Sequence, residues 1–568
     1  MNQVGNSPDL PELVAAYADA TAADNSLATR QLESVFAHHF YNPQLFSAPE
    51  AHGVIEHVGA FYRIVREVTE SLGMMTAAHD AALNWMVWAS DNDNVPEYWR
   101  ARARLAADEA RRYTTFIADG QTSAAAETEI PLIARMSREI TSYRALVLAD
   151  DLDAPTGSHS AVTTDADGLR PQESSASEEA DEPFSPRQWK KRAALTDALI
   201  RIASALRKVN REDLARELHE MIRALPNEDK FESIALAKTL TEASLLHRAG
   251  KVVDAARLCA SQLNAIGNRS VIAGLELRQN LARYSIETGN SDTAFRMLSN
   301  NVAVADQHRL DTDYILAVRE MADINFEVAH NKPDAEEMLK LTQRAQDVSA
   351  DYPDCEITME IALLKATALY ELGDFRHAGQ EAESVAKWSE PTQDSARTDF
   401  SCAIAAESAV QEGNTEHAAV LFDALADIRA GYSSPISPAE TLMDAALSLS
   451  NVGATSELTD HLMERSRGYV VGSWESAKWH ESQALLCWSV WDNDGVYKYA
   501  DEAAELFLEA HAPADAARTL TIAVRAAASD NNEERARRFA TRIGDLVGPD
   551  HPVRDEVRGL MRSFSTPD

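Results

Sequence analysis

Histidine–glutamate pairs are the first residues of this sequence whose types could bind a metal and activate water. His219-Glu220 and His480-Glu481 begin like the zinc-binding pattern His-Glu-x-x-His, but the second histidine is missing from both. Without it, one helix face cannot offer two nitrogens to one zinc ion. We interpret both pairs as surface residues of helices.

A second candidate metal site lies near the N-terminus. His52 and Glu56 are four residues apart, which places them on one face of a helix. Helical bundles bind metals through inward His and Glu side chains, but they use Glu-x-x-His pairs that this region lacks. A metal-binding bundle over residues 1–150 is therefore an alternative hypothesis, and surface or inter-helix histidines are the simpler expectation.

Catalytic motifs of other kinds are missing from the sequence. It contains no GxSxG nucleophile elbow, no GxxxxGK[ST] phosphate loop and no GxGxxG. Its four cysteines lie at least 40 residues apart and form no CxxC pair, so we expect reduced, mostly buried thiols. We predict a protein that is not an enzyme and that holds no cofactor and no metal.

Charge and hydropathy exclude several function classes. The 568 residues include 90 acidic and 54 basic ones, for a net charge of −36. Such a charge disfavours non-specific binding to nucleic acid or to an anionic membrane. No apolar run reaches the length of a membrane span, and the N-terminus lacks the pattern of a secretory signal. We expect a cytoplasmic protein without a membrane span or a nucleic-acid partner.

The elements that must position any site are helices throughout. Residues 1–150 contain six stretches with apolar residues at helical spacing, the last over 130–148, and predict a helical domain. Residues 151–186 carry nine acidic residues and one Arg among Ser, Thr, Ala, Gly and Pro, which is typical of a disordered linker. Residues 187–548 predict a helical array, and 549–568 a capping helix and tail.

A period of about 40 residues runs through the array. Each unit has a turn residue and, five positions later, a small anchor in the second helix. The turn residues are Asn210, Gly250, Gly289, His330, Gly373, Gly413, Gly453, Gly495 and Asn531, and the anchors are Ala215, Ala255, Ala294, Ala335, Ala378, Ala418, Leu458, Ala500 and Ala536. A tight turn needs positive φ, and a small anchor lets two helices approach closely. The pattern predicts about nine stacked helix pairs, an α-solenoid.

This array resembles the tetratricopeptide repeat family, whose second helix carries an Ala-x3-Phe pattern. The sixth unit matches best, with Ala406, Gly413, Ala418 and Phe422 at family spacing. The array departs from the family in its longer period and in lacking most of the Trp-x2-Leu-Gly-x2-Tyr half, so a HEAT-like solenoid of helix pairs stays open.

The resemblance also implies which residues line a binding groove. In the family, the first helix of each pair faces that groove, and family spacing assigns Arg207, Lys208, His247, Arg248, Gln279 and Arg283 to it here. Glutamates such as Glu360 take the corresponding places further along. The groove is then basic at its N-terminal end, which suits an acidic segment of a protein or peptide partner. A solvated helix face with scattered charge is the simpler interpretation.

Two tryptophans form a possible aromatic anchor for a partner. Trp488 and Trp491 lie three residues apart and share a helix face. Packing between repeats is the ordinary role of such residues, and an exposed hot spot is the alternative.

The main functional prediction is a non-enzymatic scaffold or adaptor that binds a protein or peptide in the array. The alternative is a regulatory sensor whose array binds a peptide or small ligand and signals through residues 1–150. The acidic linker is tethered close to the basic end of the groove, so it is also a candidate internal competitor.

Overall fold

The computed structural model describes residues 9–40, 57–118, 135, 139, 186–209, 211–224, 232–266, 269–327, 335–350, 352, 355–389, 395–432, 434–562 and 564. Within these ranges every regular element is a helix and no strand occurs. The predicted all-α class is confirmed. The linker and most of the sixth N-terminal stretch lie outside the described residues.

The described helices number twenty-four. The N-terminal five are α1 (Leu10–Ala22), α2 (Ser26–Phe40), α3 (Val58–Ser71), α4 (Met75–Asp91) and α5 (Val95–Ala118). The next eight are α6 (Pro186–Lys208), α7 (Glu212–Ala224), α8 (Glu232–Arg248), α9 (Val252–Ile266), α10 (Val271–Glu287), α11 (Ser291–His308), α12 (Asp311–Glu327) and α13 (Ala335–Val348). The remaining eleven are α14 (Glu356–Glu371), α15 (Phe375–Ser389), α16 (Ser395–Gln411), α17 (Thr415–Gly431), α18 (Pro438–Asn451), α19 (Ser456–Arg467), α20 (Gly472–Ser489), α21 (Asn493–Glu509), α22 (Pro513–Ser529), α23 (Glu533–Leu546) and α24 (Pro552–Arg562).

One turn geometry joins most neighbouring helices. In twelve turns of the described chain a residue with positive φ follows the helix, and the next residue donates its N–H to a carbonyl five positions back, at 2.8–3.0 Å. This is the Schellman arrangement, which satisfies the last carbonyls of a helix. The predicted turn residues Gly250, Gly289, Gly373, Gly413 and Gly453 all have φ between +73° and +85°.

The next residue of these turns often starts the following helix. Asn290, Asn414 and Asn532 each accept a hydrogen bond from the backbone N–H three residues on. A positive-φ residue followed by a capping side chain therefore ends one helix and begins another within a few residues.

The predicted anchors lie at the contact between paired helices. Seven of the nine are fully buried: Ala215, Ala255, Ala294, Ala378, Ala418, Ala500 and Ala536. Two adjacent helices can approach closely where both present such small side chains. The helix pairs and their turns confirm the solenoid architecture and its tetratricopeptide-like form.

Two details of the predicted register are wrong. Gly495 lies inside α21, and the positive φ of that turn belongs to Trp491, at +61°. In α13 the buried positions are Met338, Thr342 and Ala345, whereas Ala335 is the first helical residue and is half-buried. Both errors arose because spacing alone placed Gly495 in a turn and Ala335 at an anchor position.

The described chain divides into two compact units. The first comprises Met1–Asn331 with Asp347–Thr358, and the second comprises Lys332–Gln346 with Met359–Asp568. In the first unit α5 packs on α6, and one core joins Trp99, Ala103 and Ala110 of α5 to Leu199 and Leu206 of α6. The N-terminal helices therefore share a core with the first helices of the array.

The second unit stacks its pairs in chain order. One core joins α16, α17 and α18, and another joins α20 to α24. The last helix packs on α22 and α23, burying Val557. Among the described helices none is both long and apolar enough to cross a bilayer.

Candidate functional site

The first pair of predicted groove residues lies at the end of α6. Arg207 is buried, at 4% exposure, between the buried Leu206 and Val209. Its carbonyl oxygen accepts a hydrogen bond from Nη1 of Arg248 at 3.2 Å. Arg207 thus belongs to the packing of α6 rather than to an open surface. Lys208 is the last residue of α6, and its side chain lies outside the described part of the structure.

The second predicted pair lies at the end of α8. Nε2 of His247 is 2.6 Å from a carboxylate oxygen of Glu287, which ends α10. The His247 ring also packs on Tyr284, with centroids 5.3 Å apart. These contacts tie the first helix of one pair to the first helix of the next.

The third predicted pair, Gln279 and Arg283, meets around one carboxylate of the next repeat. Nε2 of Gln279 donates a hydrogen bond to Oε1 of Glu320 at 2.6 Å. Nη2 of Arg283 lies 3.9 Å from the same oxygen. The structure therefore brings Gln279 and Arg283 together around Glu320. Arg248 instead contacts the backbone of Arg207, and His247 contacts Glu287.

A cavity of about 360 Å³ opens beside Arg283, between α10, α11 and α12. We call it the α10–α12 cavity; its lining residues are Ala282, Arg283, Ile286, Leu298, Leu316, Arg319 and Glu320. Ala282 and Leu298 are each 1% exposed and form an apolar floor, and the three charged residues stand at the rim. Its volume is at the lower end of the range for ligand sites, about 300–1,000 Å³.

Sequence reasoning missed the part of this cavity that α12 provides. Leu316, Arg319 and Glu320 were assigned no role, although Glu320 follows Gln279 by 41 residues, one period of the array. The period itself was the signal that identifies Glu320, because equivalent positions of successive first helices lie side by side.

The predicted aromatic anchor divides into one packed and one exposed ring. Trp488 is partly buried against the core of α20–α24, whereas Trp491 is 71% exposed at the turn before α21. Their centroids are 5.7 Å apart at an interplanar angle of 42°. Val490 beside them is also exposed, at 67%.

Several of the described histidines lie beside carboxylates. Nε2 of His38 is 2.7 Å from Oδ2 of Asp311, and Nδ1 of His480 is 3.1 Å from Oε2 of Glu502. His219 and Glu481 are buried, so their interpretation as surface residues is wrong. Among the described residues no three His, Cys, Asp or Glu side chains are placed to hold a metal. His52 and Glu56 lie outside those residues.

A charged network inside the first unit was not predicted at all. Arg66 of α3 is fully buried and donates to Oε2 of Glu70 at 2.8 Å and to Oδ1 of Asp108 at 2.7 Å. Arg104 of α5 bridges Glu67 and Asp197 at 2.7 and 2.6 Å. Burial alone would raise the pKa of Glu67, but the guanidinium groups of Arg104, Arg201 and Arg66 hold it well below its usual range.

A second polar cluster lies where helix α2 contacts the helices of the array. Arg30 lies 3.5 Å from Glu276 of α10, and Gln31 donates to the backbone carbonyl of His308 at 3.0 Å. Burial raises the pKa of Glu33 to about 7, against the opposing effect of Arg30, and Tyr17 donates to Glu33 at 3.1 Å. Together with the His38–Asp311 contact, they join α2 to α10, α11 and α12. Of these, α10 and α12 carry the charged residues of the cavity.

Comparison with known proteins identifies no family model that matches the chain and no matching curated protein. Several solved structures are similar to it. The apo form of RapI is 9% identical, with 74% of this chain and 97% of that chain covered and a TM-score of 0.39. A Rap protein complexed with competence and sporulation factor is 11% identical, with 81% of this chain and 99% of that chain covered and a TM-score of 0.31. Yeast Tom70 is 12% identical, with 98% of this chain and 95% of that chain covered and a TM-score of 0.27. These structures are tetratricopeptide-type helical arrays. Such low scores and identities transfer no partner or activity to this chain.

Proposed function

We propose that the chain is a non-enzymatic scaffold or adaptor that binds a protein or peptide segment along the first helices of its array. The observation that carries the proposal is the α10–α12 cavity, where an apolar floor lies beside the exposed guanidinium of Arg283. Preformed sites with an apolar base and a few convergent polar groups are the usual form of a binding pocket.

Spacing along the array supports a segment rather than a globular ligand. Gln279 and Glu320 occupy equivalent positions of neighbouring pairs and are in direct contact. An extended segment lying across α10 and α12 would meet the same helix position once per repeat. Stacked repeats gain affinity in this way, from many modest contacts on helices that are already ordered.

Charge favours an acidic segment at this position. Arg283 and Arg319 lie at the rim with Glu320, so the rim carries a net positive charge within a protein of net charge −36. Arginine pairs with carboxylates through two parallel hydrogen bonds, which adds direction to the attraction. We also propose that the protein and its partner are cytoplasmic. In the same proposal, residues 151–186 link a helical N-terminal domain to the array.

The test is selection of binding peptides with the full-length chain. A random peptide library is selected against wild type, and enriched peptides are measured by fluorescence anisotropy. We expect enriched peptides to carry Asp or Glu and to lose at least tenfold in affinity with Arg283→Glu, because a repulsive charge replaces an attractive one. Arg296→Glu makes the same charge change at an exposed position of α11 and should leave affinity unchanged. A library without enrichment, or peptides indifferent to Arg283→Glu, contradicts the proposal.

A regulatory sensor is the second candidate, and the contacts of α2 favour it. α10 carries both Glu276, beside Arg30, and Arg283, at the cavity. α12 carries both Asp311, beside His38, and Glu320. A ligand that shifts α10 relative to α12 would therefore change the contacts of α2.

Hydrogen exchange distinguishes the two candidates. A sensor predicts that a saturating selected peptide changes amide exchange within Ser26–Phe40 as well as in α10 and α12. Exchange that changes in α10 and α12 while α2 is unaffected leaves a scaffold without this coupling.

A further inference from the structure

The α10–α12 cavity has an apolar floor and a charged rim, and the two lie close enough for one small group to contact both. Its floor consists of Ala282, Ile286, Leu298 and Leu316, all without polar side-chain atoms. Ala282 and Leu298 are fixed in the core between α10 and α11. A branched aliphatic group placed there would leave water without disturbing the helices.

At the rim beside this floor, the guanidinium of Arg283 is exposed and can bind an anion. The Arg283 side chain is 60% exposed, and its ion pair with Glu320 is 3.9 Å long, beyond a hydrogen bond. Gln279 donates to that same Glu320 oxygen at 2.6 Å. The amide of Gln279 therefore holds Glu320, and Arg283 can turn to an incoming carboxylate without leaving Glu320 unsatisfied.

We infer that the α10–α12 cavity binds a branched aliphatic side chain carried directly beside a free carboxylate. The aliphatic group lies on Leu298 and Leu316, and the carboxylate accepts hydrogen bonds from Arg283. This inference rests on the proposed function and names the chemistry that the array selects at this repeat. Three sources share it: a peptide chain end, an internal acidic residue next to Leu, Ile or Val, and a free aliphatic amino acid.

Glu320 narrows the choice of ligand further. Its carboxylate lies at the same rim, so a second negative charge on the ligand is repelled, and a backbone N–H or an ammonium group is attracted. The cavity therefore favours one carboxylate beside one aliphatic group over a run of acidic residues.

Small probes test this chemistry on the full-length chain by ligand-observed NMR titration. N-acetyl-leucine, leucine and a capped Leu-Glu dipeptide each present both groups. N-acetyl-leucinamide lacks the carboxylate, and N-acetylglycine lacks the aliphatic side chain. We expect at least one probe with both groups to bind at least tenfold more tightly than either of the last two. The tightest probe identifies the source of the ligand.

Matched variants assign the effect to the cavity. Arg283→Gln should weaken the preferred probe roughly ten- to hundredfold, the usual range for a charged hydrogen bond, and Arg283→Lys should restore part of the loss. Arg296→Gln removes the same charge from the exposed side of α11 and should change nothing. Circular dichroism confirms that each variant is folded.

The outcomes separate this inference from the proposed function. Equal binding of N-acetyl-leucinamide or N-acetylglycine, or binding unaffected by Arg283→Gln, overturns the inference. Selected peptides that need Arg283 while no probe binds at millimolar concentration also overturn it, and leave the scaffold function standing. Probes that bind as expected while the library yields no peptide support a small-ligand site and contradict the scaffold.

Discussion

Two seams between helices show opposite ways of packing the same architecture. In the first unit, the α3–α5 seam consists of Arg66, Glu67 and Glu70 facing Arg104 and Asp108. In the second unit, the α20–α22 seam consists of small side chains that are all fully buried: Ala477, Ala484, Ala500, Ala503 and Ala516.

The difference lies in what each seam requires of its residues. Alanines require only that their neighbours be small, and any pair of them lets two helices approach. A buried charge requires one specific counter-ion, because burying an unpaired ion costs far more free energy than leaving a small void. The α3–α5 seam is therefore the more specific one and the more sensitive to single substitutions.

The largest expected effect comes from removing one partner of the charged seam. Arg66→Ala leaves Asp108 and Glu70 without their shared guanidinium, and we expect a loss of about 3–5 kcal/mol in the free energy of unfolding. Urea denaturation followed by circular dichroism measures it. Arg112→Ala, an exposed position on α5, should cost less than about 0.5 kcal/mol. A loss below about 1 kcal/mol for Arg66→Ala would show that the seam is not specific.

A pH titration examines the same unit through Glu33. Its folded pKa of about 7 lies above the value of an unfolded glutamate, so the folded state retains a proton that the unfolded state has lost. The contribution of Glu33 to stability therefore falls as pH rises from about 4.5 to 7, and is constant above that range.

Glu33→Gln should remove this share of the pH dependence and keep the hydrogen bond from Tyr17. The variant is expected to match wild type near pH 4.5 and to exceed it by about 2–3 kcal/mol at pH 8. Denaturation at the two pH values provides the comparison. An equal difference at both pH values would mean that folding does not raise the pKa of Glu33.

These two seams also show what a sequence can predict. Most of the small anchors and five of the six turn glycines were predicted correctly, because each requirement is local. Ala418 must be small and Gly413 must adopt positive φ, whatever packs nearby. The i, i+4 spacing of Arg66 and Glu70 is instead that of an ordinary exposed ion pair. The burial of Arg66 accompanies its contact with Asp108 of α5, which no local pattern encodes.

The site was predictable to a similar extent. Family spacing assigned Gln279 and Arg283 to the groove, and both contact Glu320. The same spacing assigned Arg207, which is buried with Leu206 and Val209 at the end of α6. Arg319 and Leu316 reach the cavity through the packing of α12 against α11, which is a tertiary feature.

Overpacking tests the alanine seam. Ala516→Leu inserts three heavy atoms where neighbouring helices are in contact, and we expect a loss of about 2 kcal/mol. Ala514→Leu adds the same atoms at an exposed position in the first turn of α22 and should be nearly neutral. The measurement is again urea denaturation, monitored by the fluorescence of Trp488 and its neighbours. A neutral Ala516→Leu would show that the seam tolerates size and that its specificity has another origin.

The smallest expected change in stability concerns the turns between helices. Positive-φ turns of the same geometry occur in both units, so they are a feature that the two kinds of seam share. Trp491 and Gly413 occupy equivalent turn positions, with φ of +61° and +73°. No atom lies within 4 Å of a Cβ built on Gly413, so the φ angle alone decides the cost of a side chain there.

Gly413→Ala should therefore cost about 1 kcal/mol, and Trp491→Gly should gain somewhat less, since it also removes the contact with Trp488. Thermal unfolding of the two variants, compared with wild type, measures the expected loss and the expected gain in stability. A loss with Trp491→Gly would mean that the exposed ring stabilises its turn by more than the backbone conformation costs. The tryptophan would then be a packing residue, and its value as an anchor for a partner would fall.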